Sequence, residues 1–466
     1  MSQPEQFAPD GEASKSDVFD SHPIIPAYRQ SQANASIDLG EIQVSSASIA
    51  IDPQTKVTAR AEMKFLPDDQ LEIFVPARSG NQSLGIHGPF ECRVDFPELG
   101  GTFDAYRTHR LKDSSVYIPR ESPVQLYGNS SNIKVASFHL FNWPKFRSRD
   151  GYAVVTKTSA QTCGRVILEF DDWKITIAET EDTKQILEQL ESVGGYAISH
   201  AGTVEKVDGA EYSSKELDDV LVAMASFFSF MLGRWSSPSL TVGRNSSNEI
   251  VFQHWGIGRV SRGQWVGGHS CIDIHHFEMM SDTIQAFWVR WKDETWRRPL
   301  SHAIHWYVSA NDTSGSVSVD TGLLFTQSAL ELLAWTYCVL DRRMVTQDAF
   351  KQKGLNASNK FRLLASFMSI PVEIPVQLSG LNTRPKNKKP WYDAMEAITE
   401  LRNGLVHPGK DEHSIDAGAY RDAWNFSLWF ISMVILRLFD YQGKYGNRLN
   451  RRLAGEVEPV PWATST

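Results

Sequence analysis

The chain has 466 residues, 41% of them hydrophobic and 22% charged, which marks a globular protein with material for two or three domains. Its formal net charge of -8 argues against a dedicated high-affinity nucleic-acid binder, which would normally be basic, but leaves room for an enzyme that touches RNA through a local basic patch. The widely spaced Cys92, Cys163, Cys271 and Cys338 contain no C-x-x-C pair; they give no disulfide framework and no zinc site, and they suit a reducing, cytoplasmic setting.

Residues 1–36 are polar, with acids and prolines and no apolar core of a signal peptide, so a disordered tail is expected. From 37 to 202 the pattern is mostly period two. Val57, Ala59, Ala61, Met63 and Phe65 alternate with polar neighbours, as in a half-buried strand, and Leu71–Val75 is the return strand after Pro67-Asp68-Asp69. Further strands are expected at 115–118, 124–127, 133–140, 152–156, 165–170 and 173–178, the signature of an antiparallel sandwich or barrel. A capping box at Asp182–Gln185 opens a short helix that Gly194-Gly195 ends, and another short strand is expected at 196–199. A loose boundary falls near Gly202.

Residues 203–298 read as a mixed α/β region. Ser213-x-x-Glu216 caps a helix whose stripe runs through Leu217, Val220, Leu221, Met224, Phe227, Phe228 and Met231. Leu240–Val242 and Ile250–Phe252 flank Gly243-Arg244-Asn245 as a hairpin. His269, Cys271, Asp273, His275 and His276 match no zinc spacing and read as a polar loop or strand edge; no metal or cofactor is expected. Trp288, Trp291 and Trp296, with Arg290, Arg297 and Arg298, have the side chains to stack on bases, but suit a domain interface better.

Residues 299–455 read as an antiparallel helical bundle of short loops, and 456–466 as a second disordered tail. Pro299 is placed as the first residue of a helix carrying Ala303, Ile304 and Tyr307; His302 and His305, without a carboxylate at helical spacing, are taken as structural. The helix from Gly322 to Arg343 is apolar nearly all round except for Glu331, a buried carboxylate that wants a cation, with Arg402 as the candidate. Arg384, Lys386, Lys388 and Lys389 form a run of four cations without an anion, a candidate RNA-attracting loop. The next helix buries Trp391, Met395, Ile398, Leu401 and Leu405 and turns Asp393, Glu396 and Glu400 outward. The last long helix includes Phe426–Leu436, an 11-residue apolar run too short to span a bilayer, so no membrane segment is expected there.

The chemistry-bearing stretch is Arg402-Asn403-Gly404-Leu405-Val406-His407, before Pro408. A histidine can move a proton near neutral pH, and a guanidinium can hold the negative charge that builds on a phosphoryl group. Asn403 and His407 are four apart and share a helix face. Arg402 and His407 lie about 140° apart on an ideal helix of about 100° per residue, so either the helix ends at His407 or two copies of the segment meet across a dimer. Pro408 favours the first, since the residue before proline is pushed out of the α region.

This segment resembles the R-N-x-x-x-H motif of HEPN domains, over roughly the last third of the chain. The resemblance implies a helical nuclease domain that builds one cleft from two protomers and cuts RNA without a metal. His407 would be the general acid or base, Arg402 the phosphate holder and Asn403 the orienting residue. The layout, a β-rich front half on a helical C-terminal domain, looks like anti-phage proteins of the ApeA type. That implies a homodimeric endoribonuclease released by a phage-derived trigger to cut RNA, tRNA among the candidates, and halt growth. The alternative is a non-catalytic HEPN-like binding or dimerisation module beneath a sensing β domain. The fold class is then α+β, strands first and helices last.

Overall fold

The structure is a computed structural model that describes residues 21–25, 34–45, 57–64, 70–76, 90–96, 101–110, 114–120, 123–127, 130–149, 151–155, 160–180, 182–266, 269–311, 317–352, 354–383, 389–407, 417–450 and 453–463. The strands are β1 Asn34–Ser45, β2 Val57–Lys64, β3 Gln70–Pro76, β4 Phe90–Phe96, β5 Gly101–Arg110, β6 Ser114–Pro119, β7 Val124–Leu126, β8 Val135–Phe141, β9 Tyr152–Val155, β10 Ala160–Cys163, β11 Arg165–Phe170, β12 Trp173–Glu179, β13 Ile198–Lys206, β14 Ser239–Arg244, β15 Ile250–Trp255, β16 Lys444–Tyr445 and β17 Glu458–Pro459. The helices are α1 Thr183–Val193, α2 Ser214–Leu232, α3 Met279–Lys292, α4 Glu294–Ala310, α5 Val319–Trp335, α6 Gln347–Lys351, α7 Ala357–Met368, α8 Ser379–Asn382, α9 Ala394–Val406 and α10 Ala417–Leu438. The chain is mixed α+β, with β structure concentrated in the first half and helices in the second.

Two compact units interleave along the chain. The first comprises Met1–Asn142, Ile175–Leu217 and Pro238–Gly258; the second comprises Trp143–Lys174, Asp218–Ser237 and Arg259–Thr466. The division expected near Gly202 therefore falls inside β13. There Gly202 faces Phe138 of β8, and a Cβ would press into the Phe138 ring and the Thr176 carbonyl. Glycine is needed there for close strand contact rather than for a linker.

In the first unit, β1–β2–β3–β6–β5–β4 close into an antiparallel barrel, with a bulge between Asp38 and Gly40. The chain leaves β3 and crosses to β4, beside β1, before the second meander closes on β3. Closure leaves the barrel without unpaired strand edges. Strands β12–β13–β8–β14–β15–β7 run side by side as six strands of a second, seven-stranded sheet. Asp182 occupies the N-cap of α1, but its carboxylate makes no capping hydrogen bond, so the expected capping box does not form. Gly194, at φ 69, ends that helix as expected.

Imidazoles are sealed inside this unit. His22, His139 and His200 are fully buried. His22 accepts from the Ile24 N–H at Nδ1 (3.2 Å), so its Nε2–H donates to the His254 carbonyl (3.0 Å), as a neutral ring. Burial, with His139 nearby, drives His22 down to about 3. Burial drives His200 to about 3 and His254 to about 4. His22 thus ties Ser21–Ile25, inside the expected N-terminal tail, into the folded unit; residues 1–20 lie outside the described residues.

In the second unit, N-caps set the helix starts: Asp293, Ser318, Thr346, Asn356 and Asp393 each accept a backbone N–H of the first turn. The Asp293 cap starts α4 at Glu294, so Pro299 lies inside the helix and not at its first position. Helix α5 packs against α4, α7, α9 and α10. Every residue from Phe426 to Leu436 of α10 is buried, as its apolar run predicts. Residues Val319–Asp341, α5 plus a π-helical turn, are long and apolar enough to cross a membrane by composition, and 56% of their most apolar window is buried. The expected C-terminal tail is also corrected. Glu458–Pro459 pairs with Lys444–Tyr445, and the Trp462 indole donates to the Tyr441 carbonyl at 2.7 Å.

Candidate active site

Helix α9 is fixed at both ends. At its start, Asp393 is 4% exposed, accepts from the Glu396 N–H at 2.8 Å, and takes two donors from the Arg362 guanidinium at 2.5 and 3.0 Å. Asp393 does not turn outward as expected. A buried carboxylate needs a cation, and Arg362 of α7 supplies it. Met395, Ile398 and Leu401 are buried, as the stripe predicts, while Leu405 is half-buried. Glu400 accepts from the Trp391 indole (2.9 Å) and Glu396 from the Tyr392 N–H (2.6 Å).

At its end, α9 stops at Val406 with His407 as C-cap (φ -125, ψ 71), whose N–H donates to the Asn403 carbonyl at 2.8 Å. The helix therefore ends at His407, the first of the two arrangements the spacing left open, and the 140° separation of an unbroken helix does not bind the two side chains. Arg402 Nη1 donates to Asn403 Oδ1 at 3.1 Å. His407 and Asn403 are exposed and Arg402 is half-buried, so all three are reachable from solvent. Among the described residues, Arg402 Nε and, one turn earlier, Thr399 Oγ1 are buried without a hydrogen-bond partner. The site thus offers a solvent-facing imidazole and a guanidinium held by its neighbouring amide. Sequence reasoning missed Thr399 and Arg362. An R-N-x-x-x-H reading has no place for the first, and only the fold brings the second to Asp393.

Glu331 does not orient Arg402. It is exposed on α5 and accepts from Gln327 Nε2 at 2.7 Å; among the described residues it makes no ion pair with Arg402. The apolar run of α5 suggested burial all round, but one edge of the helix faces solvent. Arg384, Lys386 and Lys388 lie outside the described residues; Lys389 is exposed.

Other candidates resolve differently. Trp288, Trp291 and Trp296 are 6%, 4% and 0% exposed, with Lys292, Arg297 and Arg290 over their rings. They form part of this unit's core and present no faces to bases. The His269–His276 segment is a loop tied to the C-terminal segment: Asp273 accepts from the His275 and Gly455 N–H groups. Among the described residues, no group of three or more His, Cys, Asp or Glu side chains is placed to hold a metal ion. A cleft of about 340 Å3 is lined by Phe426, Trp429, Tyr445, Asn447, Asn450 and Glu458, among others. Its Glu458 carboxylate is already engaged by Tyr445, Asn447 and Asn450, so the network is self-satisfied.

Residues 128–266 match the family model described as the YopA central domain, and residues 293–458, which hold Arg402, Asn403 and His407, match the YopA C-terminal domain. No solved structure matches the chain. It is similar to the SPbeta prophage-derived uncharacterized protein YopA of Bacillus subtilis (strain 168), 27% identical over 311 residues, an alignment covering 65% of this chain and 66% of that protein.

Proposed function

We propose that the chain is a metal-independent endoribonuclease of the HEPN type, working in the cytoplasm as a homodimer. The observation that carries this reading is the end of α9, where an exposed His407 caps the helix and the Arg402–Asn403 pair sits one turn back. His407 removes the proton of the 2'-hydroxyl or returns one to the leaving 5'-oxygen. The 2'-oxygen forms a bond to phosphorus as the bond to the 5'-oxygen breaks. Arg402 holds the charge that develops on the phosphoryl oxygens, and Asn403 keeps its guanidinium in place. In a dimer, the second His407 supplies the complementary proton transfer. We further propose a role in anti-phage defence, with RNA cleavage released by a phage-derived protein. The products carry 2',3'-cyclic phosphate and 5'-hydroxyl ends, and end analysis of cleaved RNA tests the chemistry. Products with 3'-hydroxyl and 5'-phosphate ends would rule out His407 as acid or base on the 2'-hydroxyl.

A second reading is a non-catalytic binding or dimerisation module. It is favoured by the net charge of -8, which suits a partner other than RNA. Growth arrest on overexpression that disappears in Arg402→Ala, together with RNA cleavage by the purified protein, favours the enzyme. Arrest without cleavage favours the module.

A further inference from the structure

The second unit holds a cleft that the α9 site does not use. Its volume is about 340 Å3, and three parts of the chain build it: the 371–377 loop, helix α10 and the β16–β17 ladder. The ladder register sets Tyr445 opposite Glu458. Phe426 and Trp429 are three apart on α10 and share the face that lines the cleft.

Three hydrogen-bond relays converge on the Glu458 carboxylate. The Trp429 indole donates to Tyr445 Oη at 3.0 Å, and that hydroxyl donates to Glu458 Oε1 at 3.0 Å. The Leu449 N–H donates to Asn447 Oδ1 at 2.9 Å, and Asn447 Nδ2 to Glu458 Oε1 at 2.8 Å. Gln377 Nε2 donates to Asn450 Oδ1 at 2.9 Å, and Asn450 Nδ2 to Glu458 Oε2 at 3.1 Å. Both amide oxygens are taken, so both NH2 groups turn to the carboxylate. Burial raises the Tyr445 phenol well above its usual range, which keeps it a donor.

All three donors are neutral. They satisfy the network and fix the carboxylate without cancelling its charge. Oε1 takes two donors and Oε2 one, which leaves an acceptor position on Oε2 open. Among the described residues that line the cleft, none is Lys, Arg or His, and the second charged group is another carboxylate, the exposed Glu373. Pro375, Pro461 and Leu449 add apolar wall. A half-buried anion calls for a cation. Two anions and an apolar wall in one small cleft complement a small molecule with two positive ends and a hydrocarbon middle. A bare metal ion would leave the wall unused, and a cleft of this volume suits a small ligand better than the face of a protein.

We propose that this cleft binds an aliphatic diamine or polyamine, with one ammonium on Glu458, another on Glu373, and the methylenes against Pro375, Leu449 and Pro461. No residue of α9 lines the cleft, so the site does not depend on RNA as the substrate. The test is calorimetric titration of the full-length protein, free of nucleic acid, with 1,4-diaminobutane at low salt, and with n-butylamine and 1,4-butanediol beside it. Saturable binding of the diamine, weaker binding of the monoamine and none of the diol are expected. Glu458→Gln should weaken the diamine by about tenfold or more, the worth of one charge-assisted hydrogen bond. Glu373→Gln, at an exposed position, should weaken the diamine by about twofold to fivefold and leave the monoamine unchanged. Glu191→Gln, on an exposed carboxylate of the other unit, should change neither. If Glu458→Gln does not fold, Glu373→Gln decides alone. Absence of saturable diamine binding, equal affinity for the diol, or unchanged diamine affinity in Glu373→Gln would each overturn the site. A lysine-containing peptide that binds where the diamine does not would assign the cleft to a protein partner and overturn it as well.

Discussion

The two units use histidine in opposite ways. In the β-rich unit, His22 and His200 are fully buried and His254 half-buried, and burial holds all three below the usual histidine range. In the helical unit, His407, His302 and His305 stand at the surface, His305 against Arg259. The same side chain is a structural neutral group where the sheet closes over it, and a candidate chemical group where a helix end or face leaves it in water. Position, more than residue type, separates packing from chemistry.

Acid should separate the units most strongly. A histidine whose folded pKa is depressed contributes stability that is present above its unfolded pKa and is lost as pH falls through the interval down to the folded value. For His22 and His200 that interval runs from 6.5 to about 3, and for His254 from 6.5 to about 4. At pH 5 each buried imidazole should cost about 2 kcal/mol relative to pH 7. Denaturant midpoints across this range should fall steeply, and His200→Leu should flatten the curve. A midpoint independent of pH between 7 and 5 would break the contrast.

Removing Asp393 comes next. Asp393→Ala leaves Arg362 without its anion and deprives α9 of its N-cap, and should cost about 3 kcal/mol in denaturant unfolding. A loss under about 0.5 kcal/mol would mean the pair does not anchor the helix. The smallest expected stability effect sharpens the comparison from the other side. His407→Ala removes an exposed ring and should change stability by less than about 0.5 kcal/mol. A larger loss would move His407 into the structural class.

Much of this was readable from the residues. The alternation from Val57 to Lys64 is β2, the Ser213–Glu216 box caps α2 with a hydrogen bond of 2.9 Å from the Ser213 N–H to Glu216, and the end of α9 at His407 follows from Pro408 and the motif spacing. β13 was foreshortened because Ser199 and His200 are polar yet buried, which hides the period of a central strand. Pro299 drew the start of α4 away from its real cap, Asp293, six residues earlier than the expected first helical position. The C-terminal ladder escaped because two-residue strands carry no period. The crossover from β3 to β4 and the interleaving of the units depend on long-range pairing that no local pattern encodes. At the candidate site, spacing alone put Arg402, Asn403 and His407 at a helix end, where the structure also has them; the Arg362–Asp393 anchor and the exposure of Glu331 required the packed helices.

The measurement that tests the central claim most directly is RNA cleavage in the presence of a chelator by the wild-type protein and by His407→Ala. Transfer of a proton by a positioned side chain is worth about 10²–10⁴-fold in rate. The account predicts cleavage by wild type and a loss of that size in the variant, with unfolding midpoints unchanged. Equal cleavage by the two proteins would contradict it.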